Sequence, residues 1–268
     1  MKEAQKVHYF DLPAEIRLDI LSYLFETPMD GFTNREDGDI IIDDKYSAAS
    51  NLAPLLTCRQ FYHEGNQLAI SHTSFVIKDT YTDIPHQLSL LQPTQLSSIR
   101  SIAFLGGDQQ FRKLHSWGAH PFGIPNLRLN TLTVVFPRSS YFHYPSDYTT
   151  DIVKLLRNLQ NVSRLVFVRN GANVKGYFKT WYNRLTGLIM KEDHHRRYNC
   201  CPPIPESVWW VWSYDDRGQS FCLEARQPKP VVGEKVYMEL MKPLVEGLAR
   251  RMEVEEWEPD PRARVAYY

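Results

Sequence analysis

The sequence predicts an α/β protein in which an N-terminal helical module precedes an irregular sheet of alternating strands and helices, closed by a C-terminal helix. Two proline-initiated segments with helical apolar spacing occupy much of the first third of the chain. A second pattern follows, in which one spacing of apolar residues recurs three times at near-constant intervals, as expected of a repeated structural unit. Near the end, Val236, Leu240, Leu244, Val245 and Leu248 form a stripe on a helix from about Glu234 to Met252 that would cover apolar surface. The expected organisation is a helical module over 10–72 with an acidic insertion at 30–47, a repeat-like α/β domain over 73–252, and a frayed tail over 253–268.

The first helix is read over Leu12 to Phe25. Pro13 suits a first helical position, where no backbone donor is needed, and Glu15 lies where the positive helix end favours a carboxylate. Ile16, Leu18, Ile20, Leu21, Tyr23, Leu24 and Phe25 cover an arc of roughly 220° at about 100° per residue, wider than a one-sided helix needs. Such a helix expects burial on two sides, either within its own core or with one side reserved for a partner. Asp30, Glu36, Asp37, Asp39, Asp43 and Asp44 then read as a solvated acidic loop around Ile40-Ile41-Ile42, without the glycine and closing glutamate of a calcium loop. A second amphipathic helix is expected from Ala53 to Ala69, with Cys58 buried on its apolar side.

The recurring pattern is Leu96-x-x-Ile99-x-x-Ile102-x-Phe104, then Asn126-x-x-Leu129-x-x-Leu132-x-Val134, then Leu159-x-x-Val162-x-x-Leu165-x-Phe167. Ile102, Leu132 and Leu165 are equivalent positions 30 and 33 residues apart, and Phe75 to Ile77 supply an earlier strand. Helices belong in the gaps, most clearly Tyr148 to Leu159, with weaker ones near His86 to Leu91 and Gln109 to Ser116. Strand, helix and strand at this period call for a parallel sheet, and the spacing resembles a degenerate leucine-rich repeat, with its turn asparagine present once, at Asn170. An ordinary α/β domain is the alternative. Downstream, a helix from about Val174 to Glu192 and a basic stretch from His194 to Pro205 precede a hairpin, Val208 to Tyr214 and Ser220 to Ala225, turning at Asp215-Asp216-Arg217-Gly218.

Composition narrows function. Of 268 residues, 43% are hydrophobic and 23% charged, which excludes disorder as the main state. Thirty-one basic residues balance thirty-one acidic ones, so no whole-chain field favours nucleic acid or an anionic membrane. Met1 to Phe10 lack the apolar core of a signal peptide, and the apolar run at Val208 to Trp212 is too short to span a bilayer. Four irregularly placed cysteines suit a reducing compartment, cytoplasm or nucleus, and the triplet Asn161-Val162-Ser163 reads as chance. His194, His195, Cys200 and Cys201 match no common zinc spacing, no phosphate-cradling or nucleophile motif occurs, and no metal, cofactor or catalytic residue is expected. The remaining candidate is aromatic: Trp210, Trp212 and Tyr214 share one strand face and Trp209 takes the other, either as core or as a client-binding surface.

Phe10-Asp11-Leu12-Pro13-Ala14-Glu15-Ile16-Arg17-Leu18-Asp19-Ile20-Leu21-Ser22-Tyr23-Leu24-Phe25 resembles the opening of an F-box. Leu55-Leu56-Thr57-Cys58-Arg59-Gln60-Phe61-Tyr62-His63-Glu64 resembles the later helix of that motif in a group of fungal F-box-like proteins, and the resemblance spans roughly Phe10 to Ile77. It implies a non-catalytic protein-binding adaptor: the module docks on the Skp-type adaptor of a cullin-RING ubiquitin ligase, and a repeat domain holds a protein client. By position, Leu12, Pro13, Ile16, Ile20, Leu21 and Leu24 would meet the ligase adaptor or pack the module. The insertion at Asp30 to Ser47 separates helices that lie closer together in an ordinary F-box. An F-box-derived scaffold without a ligase link, or a hydrolase with a deep polar cleft, are the competing expectations.

Overall fold

A computed structural model of the chain describes residues 8–26, 30–139, 141–175 and 177–257. Its elements are helix α1 (Ala14–Phe25), strands β1 (Phe32–Asn34) and β2 (Ile40–Ile42), helices α2 (Ala48–Leu52) and α3 (Arg59–His72), and strand β3 (Ser74–Ile77). Helices α4 (Ile84–Ser89) and α5 (Pro93–Ser98), strand β4 (Ser101–Leu105), helix α6 (Asp108–Lys113), strand β5 (Leu129–Val135), helix α7 (Thr149–Asn158) and strand β6 (Val162–Val168) follow. Helix α8 (Phe178–His194), the hairpin strands β7 (Trp209–Asp215) and β8 (Ser220–Arg226), and helix α9 (Glu234–Trp257) complete the chain. Six strands form one mixed sheet in the order β3-β4-β5-β6-β8-β7, and β1 pairs with β2 in a separate antiparallel hairpin.

The recurring spacing sets the sheet register. Strands β3 to β6 are parallel and in chain order, with Phe75 opposite Ile102, Ile102 opposite Leu132, and Leu132 opposite Leu165. Antiparallel β8 and β7 extend the same row through Leu223 and Trp212, so the sheet ends as a mixed α/β sheet and not as a further copy of the repeat. Side chains alternate across a strand, so this row and the next, Ile77, Phe104, Val134, Phe167, Phe221 and Tyr214, face the same way. They pack in one core with side chains of α3, α4, α5, α6, α7, α8 and α9. Helix α7 supplies Ile152, Val153, Leu155 and Leu156, all buried, as its periodicity predicts.

Five expectations are corrected. The segment at 30–47 is not merely a solvated loop: Ile42 buries itself against Val135 and Val168, because three consecutive isoleucines form a strand that caps the far end of the other sheet face. Buried Asn170, in the left-handed region at φ 57, fastens this cap by accepting from the Ile42 N–H at 2.9 Å and donating to the Phe136 carbonyl at 2.9 Å. The helix expected from Ala53 to Ala69 is broken into a 3₁₀ turn over Ala53–Leu56 and α3, with the short α2 before it. Cys58 is extended and exposed at the break, where its sulfur accepts from the Phe61 N–H, so it caps a helix instead of filling a core. Helix α8 begins at Phe178, since Val174 bridges to His143. Lastly, α9 runs on to Trp257 and turns Tyr237, Met241 and Leu248 inward, leaving Val236, Leu240 and Val245 exposed. The tail beyond Trp257 lies outside the described residues.

The stretch after α8, read only as basic, joins Asp193 of that helix in a buried ionic cluster. Arg197 donates to Asp193 at 3.0 Å and to both oxygens of Glu206, and also to the carbonyls of Lys229 and Pro230. From α9 the Tyr237 hydroxyl donates to Asp193 at 2.6 Å, so the cluster ties α8, the approach to β7 and the final helix together. These charges are buried because each is paired and hydrogen-bonded, and removing one partner strands the others.

Burial works to raise the Asp193 pKa, but the hydrogen bonds of Glu206 and Tyr237 and the charges of Lys229 and Arg197 outweigh it and hold the group at about 2. The unfolded carboxylate titrates higher, so the stability it confers is present above about pH 4 and is lost as pH falls toward 2. Denaturant unfolding of wild type should therefore show stability falling across that window, and the fall should be smaller in Asp193→Asn. Separately, Asn170→Ala should lower stability by about 2–4 kcal/mol, because two buried backbone groups lose their partner. Hydrogen exchange of Ile42 should accelerate in that variant before exchange of β5 does.

Candidate docking surface on the first helix

Helix α1 is fastened along one side only. Leu21 and Phe25 turn inward to a small cluster with Leu55 and Ala69, bordered by Tyr9 and Phe61. Gly65 of α3 permits the close approach, since a Cβ there would lie 3.3 Å from the Phe25 ring. Arg17 then locks the angle: its guanidinium donates to Glu64 at 2.9 and 2.7 Å and to the Leu12 carbonyl at 2.5 Å. The Arg17 hydrogen bond, followed by that of Gln60, holds the Glu64 carboxyl below its ordinary range, so the pair is charged in neutral solution.

The rest of the helix faces solvent. Ile16, Ile20 and Leu24 are 45%, 40% and 44% exposed and Tyr23 is 80% exposed, whereas Leu21 is 0% exposed. Within the chain the helix is thus buried on one side and not on both, because a cluster of four buried residues cannot cover so wide an arc. Of the six residues assigned to docking, Pro13, Ile16, Ile20 and Leu24 share the outer side, Leu12 is half-buried at its start, and Leu21 belongs to the inner cluster. At about 100° per residue, Pro13, Ile16, Ile20, Tyr23 and Leu24 span an arc of roughly 100°, one continuous ridge. Glu15, Asp19 and Glu26 are exposed along its edge. Tyr23 was legible as part of the apolar arc, and its place beside Ile16 and Ile20 at helical spacing marks it as a member of the ridge.

The aromatic hairpin falls elsewhere. Trp210 is 2% exposed, and its indole N–H donates to the Leu156 carbonyl at 2.7 Å. Trp209 is buried too, edge-on to Trp212, while Trp212 and Tyr214 are half-buried against the main core. Trp209 and Trp210 are therefore corrected from surface anchors to core: alternation puts them on opposite faces of β7, yet both rings are buried. Lys229 lies over the Trp209 ring and completes its cover.

Ser139 and His143 come within 3.4 Å, yet the His143 Nε2 lies 2.8 Å from the Pro137 carbonyl oxygen, which only accepts. That nitrogen therefore donates and has no lone pair for the serine proton. His194 pairs with Glu234 at 2.9 Å, and among the described residues no group of three His, Cys, Asp or Glu side chains is arranged to hold a metal ion. The four cysteines are free thiols, and no described helix is long and apolar enough to cross a membrane. No protein-family model matches the chain, and neither a curated protein nor a solved structure matches it.

Proposed function

We propose that the chain is a non-catalytic, F-box-like adaptor of the cytoplasm or nucleus, whose first helix docks on the Skp-type subunit of a cullin-RING ubiquitin ligase while the sheet domain holds a protein client. The observation that carries this reading is the bare apolar ridge of Ile16, Ile20, Tyr23 and Leu24 on a helix held rigid from behind by Arg17, Glu64 and Gly65. Contiguous exposed apolar surface on a soluble fold is a mark of association, and an amphipathic helix presents it with little ordering penalty. Four parallel strands in chain order are the arrangement that a leucine-rich-repeat-like body would supply behind such a module. Docked β1 and β2 carry the acidic insertion away from α1 to the end of the sheet, which supports a ridge left clear for a partner.

The test is a pull-down with a purified Skp-type subunit, comparing wild type with Ile16→Asp plus Leu24→Asp. Both changes fall on exposed positions, so circular dichroism and melting should match wild type while retention falls by about tenfold or more. A folded wild-type chain that is not retained contradicts the ligase link and leaves an interaction scaffold without it.

A further inference from the structure

At the edge of the sheet where the parallel strands begin lies an open depression of about 680 Å³, lined among others by Arg100, Arg128, Asn130, Asn161, Ser163 and Arg226. It crosses the starts of β4, β5 and β6 and the end of β8, which are neighbours in the sheet. Three strand spacings make this roughly 15 Å, the reach of four or five extended residues. We propose that this depression binds an acidic peptide segment, with Arg100, Arg128 and Arg226 receiving its carboxylates.

Several features favour that ligand. No aspartate or glutamate lines the depression, whereas three guanidinium groups and several neutral donors do. Arg100 is held in place at the lining, since its NH1 donates to the carbonyls of Ser97, Ile99 and Arg128 at 2.6, 2.9 and 3.4 Å. Arg128 is exposed and its side chain has no hydrogen bond or ion pair among the described residues. Arg226 is paired with Glu224 at 2.6 Å, an exposed pair whose partner a ligand carboxylate can replace with small loss. No aromatic side chain lines the depression, so it lacks the stacking platforms that single-stranded nucleic acid requires. Arg164, bonded to Thr131 at 2.8 Å, lies on the open sheet face beside it, opposite Glu224.

The site is separate from α1 and does not rest on the ligase reading. Its test is fluorescence anisotropy of a labelled hexaglutamate peptide with the full chain. Saturable binding is expected, weakened about tenfold by Arg128→Glu and further by Arg128→Glu with Arg226→Glu, and weakened as salt rises from about 50 to about 500 mM. Ile20→Asp should leave it unchanged, and hydrogen exchange should show protection at 128–131 and 161–163. Absence of saturable binding, unchanged affinity in a folded Arg128→Glu chain, or tighter arginine-dependent binding of a single-stranded RNA of equal charge would overturn the assignment.

Discussion

Two apolar rows crossing all six strands organise this molecule. Phe75, Ile102, Leu132, Leu165, Leu223 and Trp212 stand in one row, and Ile77, Phe104, Val134, Phe167, Phe221 and Tyr214 in the next. Burying one such side chain contributes about 1.5–3 kcal/mol, so a slip of one residue in any strand would turn a row member outward and forfeit that amount several times over. Register is therefore set by one face of the sheet. Its other face offers Ser101, Thr131, Arg164 and Glu224 in the equivalent row, none of them fully buried among the described residues. Helices gather on one side, a small hairpin caps one end of the other, and the remaining polar edge with its arginines stays open.

The same asymmetry explains the first helix. Helix α3 bridges two cores through adjacent residues, Ala69 toward α1 and Ile70 toward the sheet. Helix α1 has no access to the large core and must make do with the small cluster around Leu21 and Phe25. A surplus of apolar side chains on a helix so placed is unpaired by the fold itself. The bidentate Arg17–Glu64 contact and the close approach at Gly65 keep the helix rigid, which lowers the ordering penalty that a partner would face.

Much of the sheet was legible in the sequence because its repeat has a near-constant period: Ile102, Leu132 and Leu165 hold equivalent places in it and lie opposite one another. The β7–β8 hairpin was legible from its turn residues. The hairpin of β1 and β2 was not, since a run of three isoleucines within acidic residues is shorter than any periodicity test can read. Nor could alternation along β7 reveal that Trp210 and Trp209 are both covered, because alternation assigns faces and says nothing of what lies against them. The ionic cluster was hidden for a related reason. Asp193, Arg197 and Glu206 resemble solvated charges until long-range partners such as Tyr237 are brought beside them. On α1 the outer residues were legible as a group, but Leu21 was grouped with them because a wide apolar arc does not disclose which part of it a small core will take.

The most direct measurement is oxidative footprinting of the isolated chain at neutral pH, read residue by residue along the first helix. Rapid labelling of Ile16, Ile20, Tyr23 and Leu24 with protection of Leu21 and Phe25 until the chain unfolds is the result expected of a free outer ridge on a firmly seated helix. Equal protection of the outer and inner residues would mean that the ridge is already covered, and would contradict the docking role.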